Sequence, residues 1–214
     1  MGIRDAFLAG LAKQLGHPDG LRGQVVGTML NRGNRKPVTE AVAALELTGG
    51  ETALDIGFGG GLGLARLLAG TGPNGSVHGV EISATMLGRA RRTFRRELAE
   101  GRLHLHESSI TELPLDGDSV DAVITTNTVY FVEDLEAAFA EVARVLAPGG
   151  TFALGIGDPE AMARMPFTAH GFRLRPVAEV EAALAAAGLD LKRHTRLGGP
   201  GPGFHLLVTG LASS

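Results

Sequence analysis

Two periodicities divide this chain. Ile3, Phe7, Leu8, Leu11 and Leu15 recur at helical spacing and predict an amphipathic helix, broken by Gly16-His17-Pro18-Asp19-Gly20. Val25, Val26, Met29 and Leu30 predict a second short helix, and Pro37 opens a third that carries Val38, Val42 and Leu45. Beyond this point strands alternate with helices. Thr52 to Ile56 is a short β-prone run, followed by a glycine-dense stretch and a helical face of Leu64, Leu67 and Leu68. Ser76 to Val80 reads as a second strand that ends at Glu81. Ser83 is placed to cap a helix with Met86, Ala90, Phe94 and Leu98 on one face. Leu103 to His106 alternates as a third strand, and Val120 to Ile124 is almost continuously apolar, as a buried parallel strand is. Asp134 caps a helix through Leu135, Phe139, Val142 and Leu146, which Pro148-Gly149-Gly150 terminates. Thr151 to Ile156 is a fifth strand. An irregular stretch from Met162 to Phe172 leads to a helix through Val177, Val180, Leu184 and Ala187 that stops at Gly188. Leu189 to Leu197 and Phe204 to Thr209 are two last strands around a glycine-proline loop. This alternation predicts an α/β fold.

Composition narrows the classes. The chain has 214 residues, 44% of them apolar and 20% charged, enough for a sizeable core in one domain or one domain with an appendage. A net charge of −3 argues against a general nucleic-acid binder, which needs a basic surface. The Arg89, Arg91, Arg92, Arg95 and Arg96 face lacks interleaved aromatics and reads as a solvated helix face. There is no cysteine, so disulfides, thiolate metal sites and cysteine nucleophiles are excluded. No signal-peptide core and no membrane-length apolar run is present, and a cytoplasmic protein without a membrane partner is expected. His104 and His106 share a strand face without a complete ligand set, so no metal is expected.

The chemistry centres on Asp55-Ile56-Gly57-Phe58-Gly59-Gly60-Gly61. Strand, glycine turn and helix form the first half of a nucleotide-binding unit, where glycine tolerates positive φ and lets backbone approach a ligand. The dinucleotide fingerprint fails in every register, since Leu62, Leu64 or Arg66 stands where its last glycine or alanine belongs. No Walker Lys-Ser/Thr follows. Acidic-x-Gly-x-Gly-x-Gly does fit, through Asp55, Gly57, Gly59 and Gly61. This resembles motif I of the class I S-adenosylmethionine (SAM)-dependent methyltransferases. Arg144-Val145-Leu146-Ala147-Pro148-Gly149-Gly150 resembles the segment before strand five in many small-molecule members, and the two motifs agree in order and spacing. The resemblance is to the UbiE-like, methyltransferase type 11 branch. It implies a Rossmann-like, mostly parallel seven-stranded sheet with helices on both faces, an antiparallel last strand and an N-terminal helical lid. The implied division is a cap over residues 1–37 and a methyltransferase domain over 38–214.

The same resemblance implies site residues. Asp55 and the glycines would hold the methionine and ribose portions of SAM. Glu81, at the tip of strand two, is placed to accept both ribose hydroxyl protons, with Ile82 beside it. Ser109 stands where the family usually has an Asp that meets the adenine amino group, and Ile110 follows it; the serine brings no charge. Thr126 and Asn127, at the tip of strand four, face the transferring methyl, and Asn34 would touch the methionine end. Tyr130, the one tyrosine, is expected near the acceptor, and His170 is the best-placed general base. The run at strand four lacks the Asp/Asn-Pro-Pro-Tyr pattern of DNA amino-methyltransferases. The expected reaction is in-line transfer of methyl from SAM to a small organic acceptor, leaving S-adenosylhomocysteine. A catalytically silent SAM-binding module and a nucleotide-dependent oxidoreductase are the alternatives.

Overall fold

Apolar runs in the middle of the chain become strands covered on both faces, which is what continuous rather than alternating hydrophobicity requires. The computed structural model describes residues 35–198 and 203–212, together with Asp5 and Gly10. Seven strands follow in order: β1 (Thr52–Ile56), β2 (Ser76–Glu81), β3 (Leu103–Glu107), β4 (Val120–Thr126), β5 (Leu146–Gly157), β6 (Leu189–Leu197) and β7 (Phe204–Leu211). They form one sheet in the order β3-β2-β1-β4-β5-β7-β6. The first five pair in parallel, and β7 lies antiparallel between β5 and β6. This is the expected Rossmann-like sheet, and its strand order reverses beside β1, where such folds bind ligands.

The helices are α1 (Arg35–Ala43), α2 (Leu62–Thr71), α3 (Ala84–Thr93), α4 (Arg95–Ala99), α5 (Leu135–Val145), α6 (Pro159–Ala163) and α7 (Val177–Ala186). Alternation along β1 splits the core. Ala53 packs with Ala41 of α1, Leu64 and Leu67 of α2 and Met86 of α3. Leu54 and Ile56 pack on the other side with Phe139 and Val142 of α5 and Val180 and Leu184 of α7. Phe139 and Val142 are fully buried, each worth about 1.5–3 kcal/mol of transfer free energy. Ser83 caps α3 by accepting from the Met86 amide, and Asp134 caps α5 through the Ala137 amide.

Two expectations change. The helix expected to continue through Leu98 breaks at Phe94, whose φ of −108° and ψ of 35° separate α3 from α4. β5 begins at Leu146, not Thr151: Leu146 pairs with Val120 and Thr151 with Ala122, so Ala147-Pro148-Gly149-Gly150 bulges out between the two pairs. α1 buries Val38 and Ala41, in line with a helix that Pro37 opens. The helices expected before Arg35 lie outside the described residues. Among the described residues no helix is long and apolar enough to cross a membrane.

Candidate functional site

A cavity of about 440 Å³ opens at the carboxyl ends of β1, β2 and β4. Its floor is the turn between β1 and α2. Gly57, Gly59 and Gly61 adopt φ of 69°, 47° and 81°, values that exact a steric penalty from residues with a Cβ. The turn is stitched to its neighbours: the Gly57 amide donates to the Val80 carbonyl at 2.8 Å, and the Gly61 amide to the Phe58 carbonyl at 2.9 Å. Gly57 also lacks a side chain for a tertiary reason. A Cβ there would stand 2.5 Å from Thr128 Oγ1, in the segment after β4. Gly57 and Gly59 reach the cavity wall. Gly61 instead precedes α2 in a left-handed conformation and packs toward Phe94.

Two acids flank the turn. Glu81 is buried, and its carboxylate accepts from the Gly59 amide at 2.9 Å and the Ser83 amide at 3.0 Å. Asp55 is buried beside it, and its carboxyl is pushed up to about 8. Burial is the main cause and the Glu81 charge adds to it, while the Leu64 amide at the start of α2 pulls the other way. At neutral pH the crevice therefore holds the Glu81 carboxylate beside an Asp55 carboxyl that keeps its proton, and a positive charge nearby would favour its ionisation. Ile82, 43% exposed, stands on the wall next to Glu81. Ser109 and Ile110 face the same cavity from the loop after β3. Ser109 Oγ lies 2.6 Å from Thr111 Oγ1, and Ile110 is buried.

The third wall is the tip of β4. Thr126 and Asn127 line it, and Asn127 is left-handed at φ 59°. The Asn127 amide donates to the Gly155 carbonyl at 2.9 Å, while Thr125 Oγ1 donates to the Ile56 carbonyl at 2.8 Å. Tyr130 lies behind the wall, buried, with its hydroxyl donating to Asn127 Oδ1 at 3.2 Å and accepting from the Gly157 amide. Burial holds that phenol far above its usual range. Phe131, next in the chain, is on the wall and packs against Phe172 at 4.7 Å. His170 is half-buried at the end of the turn Pro166–Ala169, where its amide donates to Phe167 at 3.1 Å. It is not among the residues lining the cavity.

The structure therefore brings Asp55, Gly57, Gly59, Glu81, Ile82, Ser109, Ile110, Thr126 and Asn127 around one cavity. It does not bring Gly61, Tyr130 or His170 onto the wall, and Asn34 lies outside the described residues. Sequence reasoning missed Gly63, Thr128 and Phe131. A Cβ on Gly63 would sit 2.1 Å from Asp55 Oδ2; only the density of glycines hinted at it. No spacing rule announces that Thr128 meets Gly57, since the contact spans the sheet.

The strand histidines contact one another across β2 and β3. His78 Nδ1 lies 3.1 Å from His106 Nε2, and the His78 ring stacks on His104 with centroids 4.8 Å apart. Burial, with His104 and His106 nearby, pushes His78 down to about 4. Among the described residues no group of three or more His, Asp or Glu is arranged to hold a metal ion.

Comparison with known proteins places this geometry in context. A family model described as a methyltransferase domain matches residues 54–154. The uncharacterized methyltransferase YdaC of Bacillus subtilis is 30% identical over 139 residues, covering 65% of this chain and 74% of that protein. The arsenite methyltransferase of Halobacterium salinarum is 33% identical over 105 residues, 49% of this chain and 27% of its own length. Matches to the first curated relatives span only 20% to 34% of those proteins. Among solved structures, a SAM dependent methyltransferase from Aquifex aeolicus superposes with a TM-score of 0.72 at 21% identity, covering 87% of this chain and 97% of that one.

Proposed function

The chain belongs to the class I SAM-dependent methyltransferases, and on that premise we propose that it moves a methyl group from SAM to a small organic acceptor in the cytoplasm. The observation that carries this reading is the pairing of Glu81 and Asp55 across a left-handed glycine turn in which Gly57 has no room for a side chain. The residues fit the cofactor. A carboxylate accepts at about four positions, so Glu81 can hold the turn amides and also take the protons of two vicinal ribose hydroxyls. Ile82 and Ile110 offer apolar surface to a flat base, and Ser109 a neutral acceptor for its amino group. Asp55, Thr126 and Asn127 border the amino-acid end, where Asp55 would meet positive charge. Bound there, SAM supplies a methyl whose bond to sulfur breaks as its bond to the acceptor forms, leaving S-adenosylhomocysteine.

The remaining work of the chain is positioning. Holding the acceptor close and in line is the larger part of such a rate gain. Phe131 and Val132, with Val38 of α1, give the cavity an apolar part beside Glu133 and Asp134, which suits an acceptor with an apolar body. Residues 1–37, including Asn34, are proposed as the cap over the cavity. His170 is proposed as a base for a hydroxyl acceptor, reached when the segment 166–172 closes on Phe131. His170→Ala should then lower turnover while SAM affinity stays constant.

The decisive experiment is calorimetry with SAM and S-adenosylhomocysteine. Glu81→Ala should weaken both by about 10- to 100-fold, the loss expected of hydrogen bonds to a charged group, and lower the melting temperature as well, since the Gly59 and Ser83 amides lose their acceptor. Unchanged affinity would refute the ribose assignment. NADH should give no binding signal; a signal would favour an oxidoreductase. Tight SAM binding with no transfer of labelled methyl to any extract component would favour a silent binding module.

A further inference from the structure

The hydroxyl of Tyr130 joins two elements that otherwise meet only through the sheet. It donates to Asn127 Oδ1 at 3.2 Å, at the tip of β4, and accepts from the amide of Gly157, the last residue of β5. Gly157 is glycine for this reason among others: a Cβ there would stand 3.3 Å from the hydroxyl and 2.6 Å from Met162 Sδ. Asn127 needs such support. Its φ of 59° is left-handed, a conformation uncommon outside glycine although Asn adopts it more readily than most side chains. Asn127 faces the cavity, whereas the Tyr130 ring is buried among Phe131 and Phe172.

We propose that Tyr130 is a positioning residue, whose hydroxyl locks the Asn127 corner against the end of β5 and so sets the amino-acid end of the SAM site. The inference rests on the SAM reading above. A role as acceptor-site base is incompatible with the geometry, because both hydrogen-bonding directions of the hydroxyl point into protein. Burial also keeps the phenol protonated at neutral pH. The ring is held in place by its aromatic neighbours, so removing the oxygen alone removes the lock and little else. One side chain and one backbone group then loosen together: the Asn127 carboxamide loses a donor, and the Gly157 amide loses its acceptor.

The test separates the two ends of the cofactor. S-adenosylhomocysteine carries the amino-acid end; 5′-methylthioadenosine lacks it. In the full-length chain, Tyr130→Phe should weaken S-adenosylhomocysteine about tenfold, the loss of one to two buried hydrogen bonds, and leave 5′-methylthioadenosine within about twofold. In an Asn127→Gly background, which keeps the left-handed corner accessible, Tyr130→Phe should change S-adenosylhomocysteine affinity by less than about twofold, because coupled residues are not additive. Equal losses for both ligands, or additive losses in the double variant, would overturn the positioning role. If the wild-type chain binds neither ligand, the SAM reading itself falls. A third readout does not require Tyr130→Phe to fold. Tyr130 is the one tyrosine in the chain and there is no tryptophan, so 3-fluorotyrosine labels that ring alone. Its fluorine resonance should shift on adding S-adenosylhomocysteine and stay still with 5′-methylthioadenosine. No shift with the first, or equal shifts with both, would overturn the proposal.

Discussion

Gly63 and Gly88 are both helical glycines, and the difference between them shows what decides at the residue scale. Alanine is favoured over glycine inside a helix by about 1 kcal/mol. At Gly88, in α3, the nearest atom to an added Cβ is Arg92 Nη1 at 3.8 Å. Propensity alone operates there, and Gly88→Ala should raise the melting temperature by a few degrees. At Gly63, in α2, the added Cβ would lie 2.1 Å from Asp55 Oδ2 and 3.0 Å from Ile124 Cδ1. Both neighbours are buried, and overpacking such a place costs about 1–3 kcal/mol, which outweighs the propensity gain. Gly63→Ala should therefore lower the melting temperature and weaken SAM binding, since the displaced carboxyl is a cavity residue. Parallel thermal melts and calorimetry on the two variants would check the contrast. Two rises, or two falls of similar size, would show that the space around Asp55 is not the controlling feature.

At the scale of elements, α5 does more than cover the sheet. Arg144, in its last turn, donates to the carbonyls of Leu113 at 2.9 Å and Leu115 at 2.8 Å. Its partner Glu141 accepts from the Leu113 amide at 3.0 Å, and the guanidinium beside it holds the Glu141 carboxyl below its usual range. Together they clamp the loop that presents Ser109 and Ile110 to the cavity. A lysine cannot reproduce a planar fork shared between two carbonyls and a carboxylate. Because the site is partly exposed, Arg144→Lys should cost only about 1–2 kcal/mol, read from denaturant melts, and should blunt SAM affinity through the displaced loop. Arg144 was legible from the sequence as part of a family-like run, but its reason was not, because Leu113 lies far behind it in the chain. The same holds more widely. β1, β2, α2 and the caps Ser83 and Asp134 follow from local periodicity and side-chain type, so they were readable. The break at Phe94, the bulge of Pro148-Gly149-Gly150 and the hydroxyl contacts of Tyr130 depend on what the fold brings alongside, and spacing carries no record of that. Tyr130 was expected near the acceptor as the one tyrosine of the strand-four tip; one residue of rotation in the turn Val129–Phe131 puts Phe131, not Tyr130, on the cavity wall.

For the molecule as a whole, the buried carboxyl of Asp55 links folding, ligand and pH. Its folded value of about 8 lies well above the ordinary 3.8, so the folded chain keeps a proton that the unfolded chain releases. Stability from this group is fully present below about pH 3.8 and is lost as pH rises through 8. His78 acts in the opposite sense. Its folded value of about 4 lies below the ordinary 6.5, so its contribution is present above 6.5 and lost as pH falls toward 4; His106 is shifted in the same direction. The two effects oppose each other below pH 6.5, and only Asp55 remains between 6.5 and 8. The ligand-free chain should accordingly show a broad stability plateau ending near pH 6.5, tilted on its acid side by His106 alone, and lose up to about 1.4 kcal/mol per pH unit on the alkaline side. Asp55→Asn should abolish that alkaline decline and uncover the full acid-side decline of His78 between pH 6.5 and 4, which Asp55 cancels in the unsubstituted chain. A cation in the cavity reverses the preference of Asp55, because it favours the ionised carboxylate. SAM binding should thus release a proton at pH 7 and tighten as pH rises toward 8, while Asp55→Asn binds more weakly with no such slope. Calorimetry at pH 7 in two buffers of different ionisation enthalpy measures the proton directly. A wild-type chain that releases none, or whose affinity falls between pH 6.5 and 8, would show that Asp55 does not face the cofactor's charge.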